Sequence, residues 1–211
     1  VTRDRGARKA LEEIYGDPGP GPSPFQITAG GIWLPTPLEV LLDGLPLVRR
    51  AIPSLGAPGG GLKLLDAGSG DGRVLACLGI QEWGRTDVAA YGVECDEVLC
   101  AMAIRNLARL SERGLLTGSV ELTVHRGDFL DGETYRTLGL AFSELDLIVN
   151  YPDGNEERLG DLLLREGEPG RTRLLVVSPD SEFGMPRLKR EWQGRLETRH
   201  GAAWTLTVYV P

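Results

Sequence analysis

Residues 64–74 read LLDAGSGDGRV: an apolar run, an acid, glycines at 68, 70 and 72, then Arg73 and a return of the apolar pattern. Glycines at alternate positions let a backbone turn tightly and come close to a ligand with no Cβ in the way. The run before them reads as a strand and the run after them as a helix. The turn would therefore offer free N–H groups at a helix start, which favour a negatively charged ligand group. The spacing is not the G-x-G-x-x-G of dinucleotide binding. Asp71, placed at the helix start, suits an N-cap and would repel a pyrophosphate. A nicotinamide oxidoreductase is disfavoured on both counts.

A ligand carrying an ammonium group fits Asp66 and Asp71 better than a diphosphate does. S-adenosylmethionine has an amine, a carboxylate and a sulfonium cation. Two further strand ends bear on this ligand. Glu94 closes the stretch VAAYGVE, at a distance from the glycines where an acid accepts hydrogen bonds from both hydroxyls of a ribose. Asp128 and Phe129 follow the next strand, where the carboxylate can accept from an adenine amino group and the ring can pack against the base. Each residue alone reads equally as a loop acid, a helix cap or a core aromatic. Together they put three strand ends in register on the carboxyl edge of one sheet.

The elements that would position these residues alternate. Strands are expected at 63–67, 88–94, 120–127, 145–151 and 172–178, with helices at 72–83, 96–113 and 156–166 and a short irregular or helical piece around 135–142. Leu99, Ala103, Leu107 and Leu110 form an apolar stripe of helical period in the second of these helices. The rhythm predicts a parallel sheet covered on both faces. Two last strands, 195–200 and 204–210, are joined by a loop too short for a parallel crossover and should pair antiparallel at one edge. The expected fold is α/β: a doubly wound, mostly parallel seven-stranded sheet with an antiparallel C-terminal edge hairpin.

Upstream, ARKALEEIY at 7–15 has helical spacing, and GDPGPGPSP then stops the helix as a linker or a flap over the ligand. After GGIWLP, residues 36–55 read as a helix with Thr36 as N-cap, Pro37 first inside and Glu39 closing a capping box, kinked or split at Pro46. This divides the chain into an N-terminal helix with a Gly/Pro-rich extension (1–35) and a main domain (36–211).

With 30 acidic and 23 basic residues the formal charge is -7, which disfavours a nucleic-acid partner. Cys77, Cys95 and Cys100 show neither Cys-x-x-Cys spacing nor a nearby histidine, so no metal site is expected. An odd number of thiols and no secretion signal point to the cytoplasm. No apolar run is long enough to span a bilayer. The chain starts at Val1 rather than at methionine, so leading residues are expected to precede it.

LLDAGSGDGRV, YGVECD, RGDFLD and LDLIVNYPDGN resemble the successive motifs of class I S-adenosylmethionine-dependent methyltransferases, a likeness that runs in order through residues 36–178. It implies a Rossmann-like fold and S-adenosylmethionine as cofactor. Gly68, Ser69 and Gly70 would pass under the methionine part with Asp66 near its amine. Glu94 would hold the ribose, Cys95 would lie beside the adenine, and Asp128 with Phe129 would read the adenine edge. In such enzymes the acceptor group is positioned after the fourth strand, here Asn150-Tyr151-Pro152-Asp153. The similar tetrad of adenine and glutamine methyltransferases is Asn/Asp-Pro-Pro-aromatic. Tyr151 and Asp153 depart from it, which counts against a nucleic-acid base.

A second likeness lies in GGIWLPTPLEVL, which is similar to the lead-in of archaeal protein-lysine methyltransferases and of the disruptor-of-telomeric-silencing group. It would put Thr36 over the methionine carboxylate and implies a protein lysine as acceptor. Leu34 stands where that family usually has its aromatic, and NYPDGN replaces its usual turn. For lysine, Asn150 would orient the amine and Tyr151 line the channel; the other reading of Asn150 is a turn residue capping strand four. Asp153 and Asn155 read as turn formers. His125 and His200, the only histidines, have no visible carboxylate partner and read as packing and loop residues. A small-molecule acceptor and a non-catalytic protein that binds S-adenosylmethionine or S-adenosylhomocysteine are the alternatives.

Overall fold

The structure is a computed structural model that describes residues 2–16, 26–28, 31–56, 61–84, 87–116, 120–179 and 184–211. Helix α1 (Thr2–Tyr15) is followed by a small hairpin, β1 (Gln26–Thr28) with β2 (Gly31–Trp33), and by α2 (Leu38–Ala51). Alternation then begins: β3 (Leu62–Ala67), α3 (Arg73–Ile80), β4 (Val88–Glu94), α4 (Glu97–Glu112), β5 (Val120–Arg126), α5 (Gly132–Thr137), β6 (Leu147–Asn150), α6 (Glu156–Glu166) and β7 (Arg173–Ser178). The chain ends in β8 (Lys189–Glu197) and β9 (Ala203–Val210).

The seven large strands form one sheet in the order β5-β4-β3-β6-β7-β9-β8. All pairs from β5 to β7 are parallel, and β9 is antiparallel to both β7 and β8. Strand order reverses between β3 and β6, which makes the carboxyl ends of these two strands the switch point at which open α/β sheets take their ligands. The two-residue period of the strands divides the core. Leu62, Leu64, Leu147, Val149, Leu175 and Val177 face the helices α1, α2 and α3. Leu65, Ala67, Ile148, Leu174 and Val176 face α6 and the segment around Phe129 and Tyr135. Helix α1 is part of this structure, because Leu11 is fully buried in the first cluster. The stripe Leu99, Ala103, Leu107 and Leu110 is buried as its period predicts.

Three sequence-based expectations are corrected. Pro37 is extended (φ −59°, ψ 133°), so α2 starts at Leu38 with Pro37 as its N-cap residue, and neither Thr36 nor a capping box closes its first turn. The Pro37 carbonyl accepts from Val40 and Leu41 N–H instead, at 3.1 and 3.3 Å. Pro46 does not split α2, which runs through it. An interior proline costs about 3 kcal/mol, and the buried Leu41, Leu45 and Val48 offset that cost by tying both halves to the sheet. Close approach adds to this: a Cβ on Gly44 would lie 2.5 Å from Leu206 Cδ2. Strand β8 begins at Lys189, six residues earlier than its hydrophobic pattern suggests, because an edge strand with polar residues and a bulge between Arg190 and Trp192 shows little alternation. The hairpin β1–β2 is too short to show a period. The Gly/Pro-rich linker lies almost wholly outside the described residues.

Candidate functional site

The turn after β3 is built by glycine. Gly68, Gly70 and Gly72 have φ of 82°, 52° and 84°, in the left-handed region that L side chains rarely adopt. Glu94, at the end of β4, holds this turn from below. Its Oε2 accepts the Gly70 N–H at 2.8 Å and its Oε1 accepts the Asp96 N–H at 2.8 Å, so one buried carboxylate fixes the loops after two adjacent strands. Each oxygen keeps acceptor capacity for a further donor. Asp96 caps α4 by accepting from Val98 and Leu99 N–H. Cys95 is exposed beside this pair, with Sγ 3.6 Å from Glu94 Oε1.

Ser69 turns inward: a Cβ on Gly92 would meet Ser69 Cβ at 2.9 Å, and the buried Ser69 Oγ has no partner. Only its backbone can face a ligand. Trp33, from β2, stands against Gly70, and a Cβ there would overlap the indole ring. Gly70→Ala should therefore lose about 1–2 kcal/mol through the left-handed backbone alone and more through Trp33. Adding Trp33→Ala should recover the second part and not the first, as urea denaturation of the single and double variants will read. Equal midpoints for both glycine variants would contradict the contact.

Asp71 does not present a free charge to a ligand, contrary to the sequence expectation. Arg73 Nε and Nη2 hold it at 3.0 and 2.7 Å, with both side chains nearly fully buried. Arg73 Nη1 donates to the Thr36 carbonyl at 3.3 Å, and its guanidinium lies 5.7 Å from the centre of the Tyr15 ring. Tyr15 in turn donates to the Gly72 carbonyl at 3.2 Å, and Asn106 to the Asp71 carbonyl at 3.0 Å. The glycine turn is thus bolted to α1, to α4 and to the buried segment containing Thr36.

Asp66 points to the α3 side, where its carboxylate accepts the Leu75 N–H and Oδ2 is left without a partner. Burial, then the neighbouring Glu94 and Asp71 charges, hold its carboxyl well above the ordinary range. The folded protein keeps a proton here that the unfolded chain loses near an ordinary carboxylate pKa of about 3.9. The stability associated with that proton is full below that pH and is lost as pH rises toward the folded-state value. Asp66→Asn should remove this loss. Its urea midpoint relative to the parent protein should rise as pH increases above the ordinary carboxylate pKa of about 3.9; parallel profiles would contradict the assignment.

On the opposite side of the same edge, Asn150 ends β6. Its Nδ2 donates to the Ala67 carbonyl at 3.0 Å, and its Oδ1 is buried with no partner. Phe129 is buried in the second core cluster with its Cε1 3.8 Å from the position a Gly68 Cβ would take. Asp128 is exposed; its Oδ1 accepts the Leu130 N–H, and its carbonyl accepts from Thr134. Asp153, read from the sequence as a turn former, also reaches this corner, with Oδ2 3.8 Å from the same Gly68 position. Desolvation pushes its carboxyl above the usual range. Tyr151 packs with Trp204, ring centres 6.0 Å apart, on the α2 side of the sheet rather than beside Asn150. Gly68 itself is exposed, so the corner is reached from solvent. Trp33 and Asp153 are the site residues that sequence reasoning missed. One is an isolated aromatic in a Gly/Pro-rich stretch, and the other sits in an Asp-Gly pair that reads as a turn.

Among the described residues no cluster of His, Cys, Asp and Glu suits a metal ion, and no helix is long and apolar enough to cross a membrane. No protein-family model and no curated protein matches the sequence. Solved structures do. One from Listeria monocytogenes, assigned to the class I S-adenosylmethionine-dependent methyltransferases, superposes with a TM-score of 0.62 at 17% identity, over 98% of this chain and 68% of that one. The rRNA methyltransferase aviRa from Streptomyces viridochromogenes gives 0.61 at 18% identity, over 86% and 87%. An RNA methyltransferase from Salinibacter ruber in complex with S-adenosyl-L-homocysteine gives 0.55 at 18%, over 84% and 94%. The chain has the Rossmann-like fold of these methyltransferases, with its antiparallel C-terminal hairpin.

Proposed function

We propose that this protein is a methyltransferase that uses S-adenosylmethionine to methylate an amine. The observation that carries the reading is the Glu94 carboxylate bound to the Gly70 N–H at 2.8 Å, an acid and a glycine turn locked together at the switch point of the sheet. Glu94 would hold the ribose through its remaining lone pairs, and Cys95 would border the adenine. Asp128, through its second oxygen, and Phe129 would bind the adenine edge and ring. The backbone of Gly68, Ser69 and Gly70 would bed the methionine part with Thr36 near its carboxylate, whereas Asp66, buried toward α3 with its carboxyl held above the ordinary range, brings no free charge to its amine. The residues fit such a group: Gly68 has no Cβ and opens to solvent, and the Ser69 side chain turns inward, away from that opening.

The cofactor supplies an activated methyl group, and what the protein must add is a positioned lone pair in a site that excludes water. Asn150 suits this task. Its amide is oriented by the Ala67 carbonyl, which can only accept, so Oδ1 is the end left to receive an N–H from an amine. Tyr151, packed on Trp204 at the α2 side of the sheet, takes no part in this approach, contrary to the role read from the sequence. A protein lysine is the acceptor class favoured by the threonine-proline lead-in and the acidic balance of the chain. RNA is the second reading, because two of the matched structures are RNA methyltransferases by name. Open access at Gly68 favours transfer over binding alone.

The test is incubation of the protein and methyl-labelled S-adenosylmethionine with cell extract. Label that protease releases and RNase leaves in place is expected. Label sensitive to RNase alone would move the acceptor to RNA, label in neither polymer would point to a small molecule, and no incorporation above that of an Asn150→Ala control would contradict the enzymatic reading.

A further inference from the structure

Asp153 has no role in the cofactor site, yet it is brought to the corner where Asn150 and Phe129 meet the Ala67–Gly68 peptide. Its Oδ1 accepts the Asn155 N–H at 3.0 Å, while Oδ2 has only a long contact, 3.4 Å, from Asn155 Nδ2. Among the described residues the carboxylate faces no counter-ion, and Glu156, on the first turn of α6, acts on it with a charge of the same sign. A half-buried carboxylate without a cation costs free energy that a cationic ligand would recover. At the same corner, where Asn150 Nδ2 holds the Ala67 carbonyl, the buried Asn150 Oδ1 also lacks a donor. Both empty acceptors flank the exposed Gly68.

We propose, resting on the methyltransferase reading above, that Asp153 and Asn150 Oδ1 together seat an alkylammonium ion, so that the acceptor enters as a charged primary amine such as a lysine side chain. A nucleobase amino group is already neutral, so it gains a hydrogen bond from a carboxylate but neither charge pairing nor a needed proton acceptor. Exposed Asp128 and Asp131, on the loop after β5, have no ion pair among the described residues and would repel a phosphate backbone, whereas Glu97 and Glu133 are neutralised by Arg126 and Arg136. Asp153 then has a chemical task. It takes one proton from the ammonium, and the freed nitrogen lone pair forms the N–C bond as the S–C bond breaks with its electron pair going to sulfur. The product is a methylated ammonium and a thioether, and the proton on Asp153 returns to solvent.

The probe is n-butylammonium, with 1-butanol as a neutral compound of the same heavy-atom count, titrated into protein saturated with S-adenosylhomocysteine. The Asn150 side-chain amide signals are followed by NMR. We expect saturable shifts with butylammonium and about tenfold or weaker binding of butanol, the least difference that a charge-assisted hydrogen bond supplies. In Asp153→Asn the response to butylammonium should fall to that of butanol. Equal responses to both probes in the parent protein would overturn the proposal without any variant. So would an unchanged response in the variant, or an adenosine-containing RNA oligonucleotide that shifts these signals where butylammonium does not. Failure of S-adenosylhomocysteine itself to bind would overturn the methyltransferase reading and the acceptor assignment with it.

Discussion

Arg73→Met should destabilise the protein by about 3–5 kcal/mol, because it leaves the Asp71 charge buried and unpaired. The side chains are only 7% and 6% exposed, and Asp71 takes three hydrogen bonds from the guanidinium, at 3.0, 3.1 and 2.7 Å. Water cannot replace them. For a domain of this size the thermal midpoint should fall by about 2–4 °C per kcal/mol, so roughly 6–20 °C, as calorimetry will read. Asp71→Asn on the same background should recover most of the loss, since no charge then remains buried. If the single variant melts with the parent protein, the pair is not closed to solvent. The effect also reaches function. Arg73 holds the Thr36 carbonyl and lies under Tyr15, so its removal releases the glycine turn from two of its neighbours.

Glu94→Ala should weaken binding of S-adenosylhomocysteine by about 3–6 kcal/mol, roughly 100- to 20,000-fold, the worth of two hydrogen bonds to a charged group. The carboxylate also orders the turn by accepting from Gly70 and Asp96 N–H, both at 2.8 Å. Part of the loss is therefore disorder of the binding loop. Glu94→Gln separates the two contributions. It keeps the shape but sets an NH2 against one of the two backbone donors, so it too should bind poorly. Thermal unfolding of both variants, compared with the binding loss, shows whether the fold itself has given way. Full affinity in a folded Glu94→Ala would remove the ribose assignment.

The alternation of strands and helices from residue 62 to residue 178 was legible because each strand is a short apolar run bounded by polar turns and each helix has an apolar stripe. β4 and α6 have the boundaries that this pattern predicts. Glu94 was legible as well, since a strand-end acid after a glycine turn has few places to go. Local pattern failed where tertiary contacts decide. The start of α2 depends on the backbone of Pro37, and its continuity through Pro46 depends on burial against β9. Asp71 looked like a ligand residue because its partner Arg73 is two positions away on a helix, a spacing from which no ion pair would be predicted. Asp153 looked like a turn residue because only the fold brings it to Gly68.

The carboxyl edge of the sheet as a nucleoside site is tested most directly by isothermal titration of the purified protein with S-adenosylmethionine and with S-adenosylhomocysteine. Saturable binding of both at one site per chain, lost in Glu94→Ala, is the predicted result. A folded sample that releases no heat with either ligand at high micromolar concentration would contradict it and leave a doubly wound domain without its cofactor.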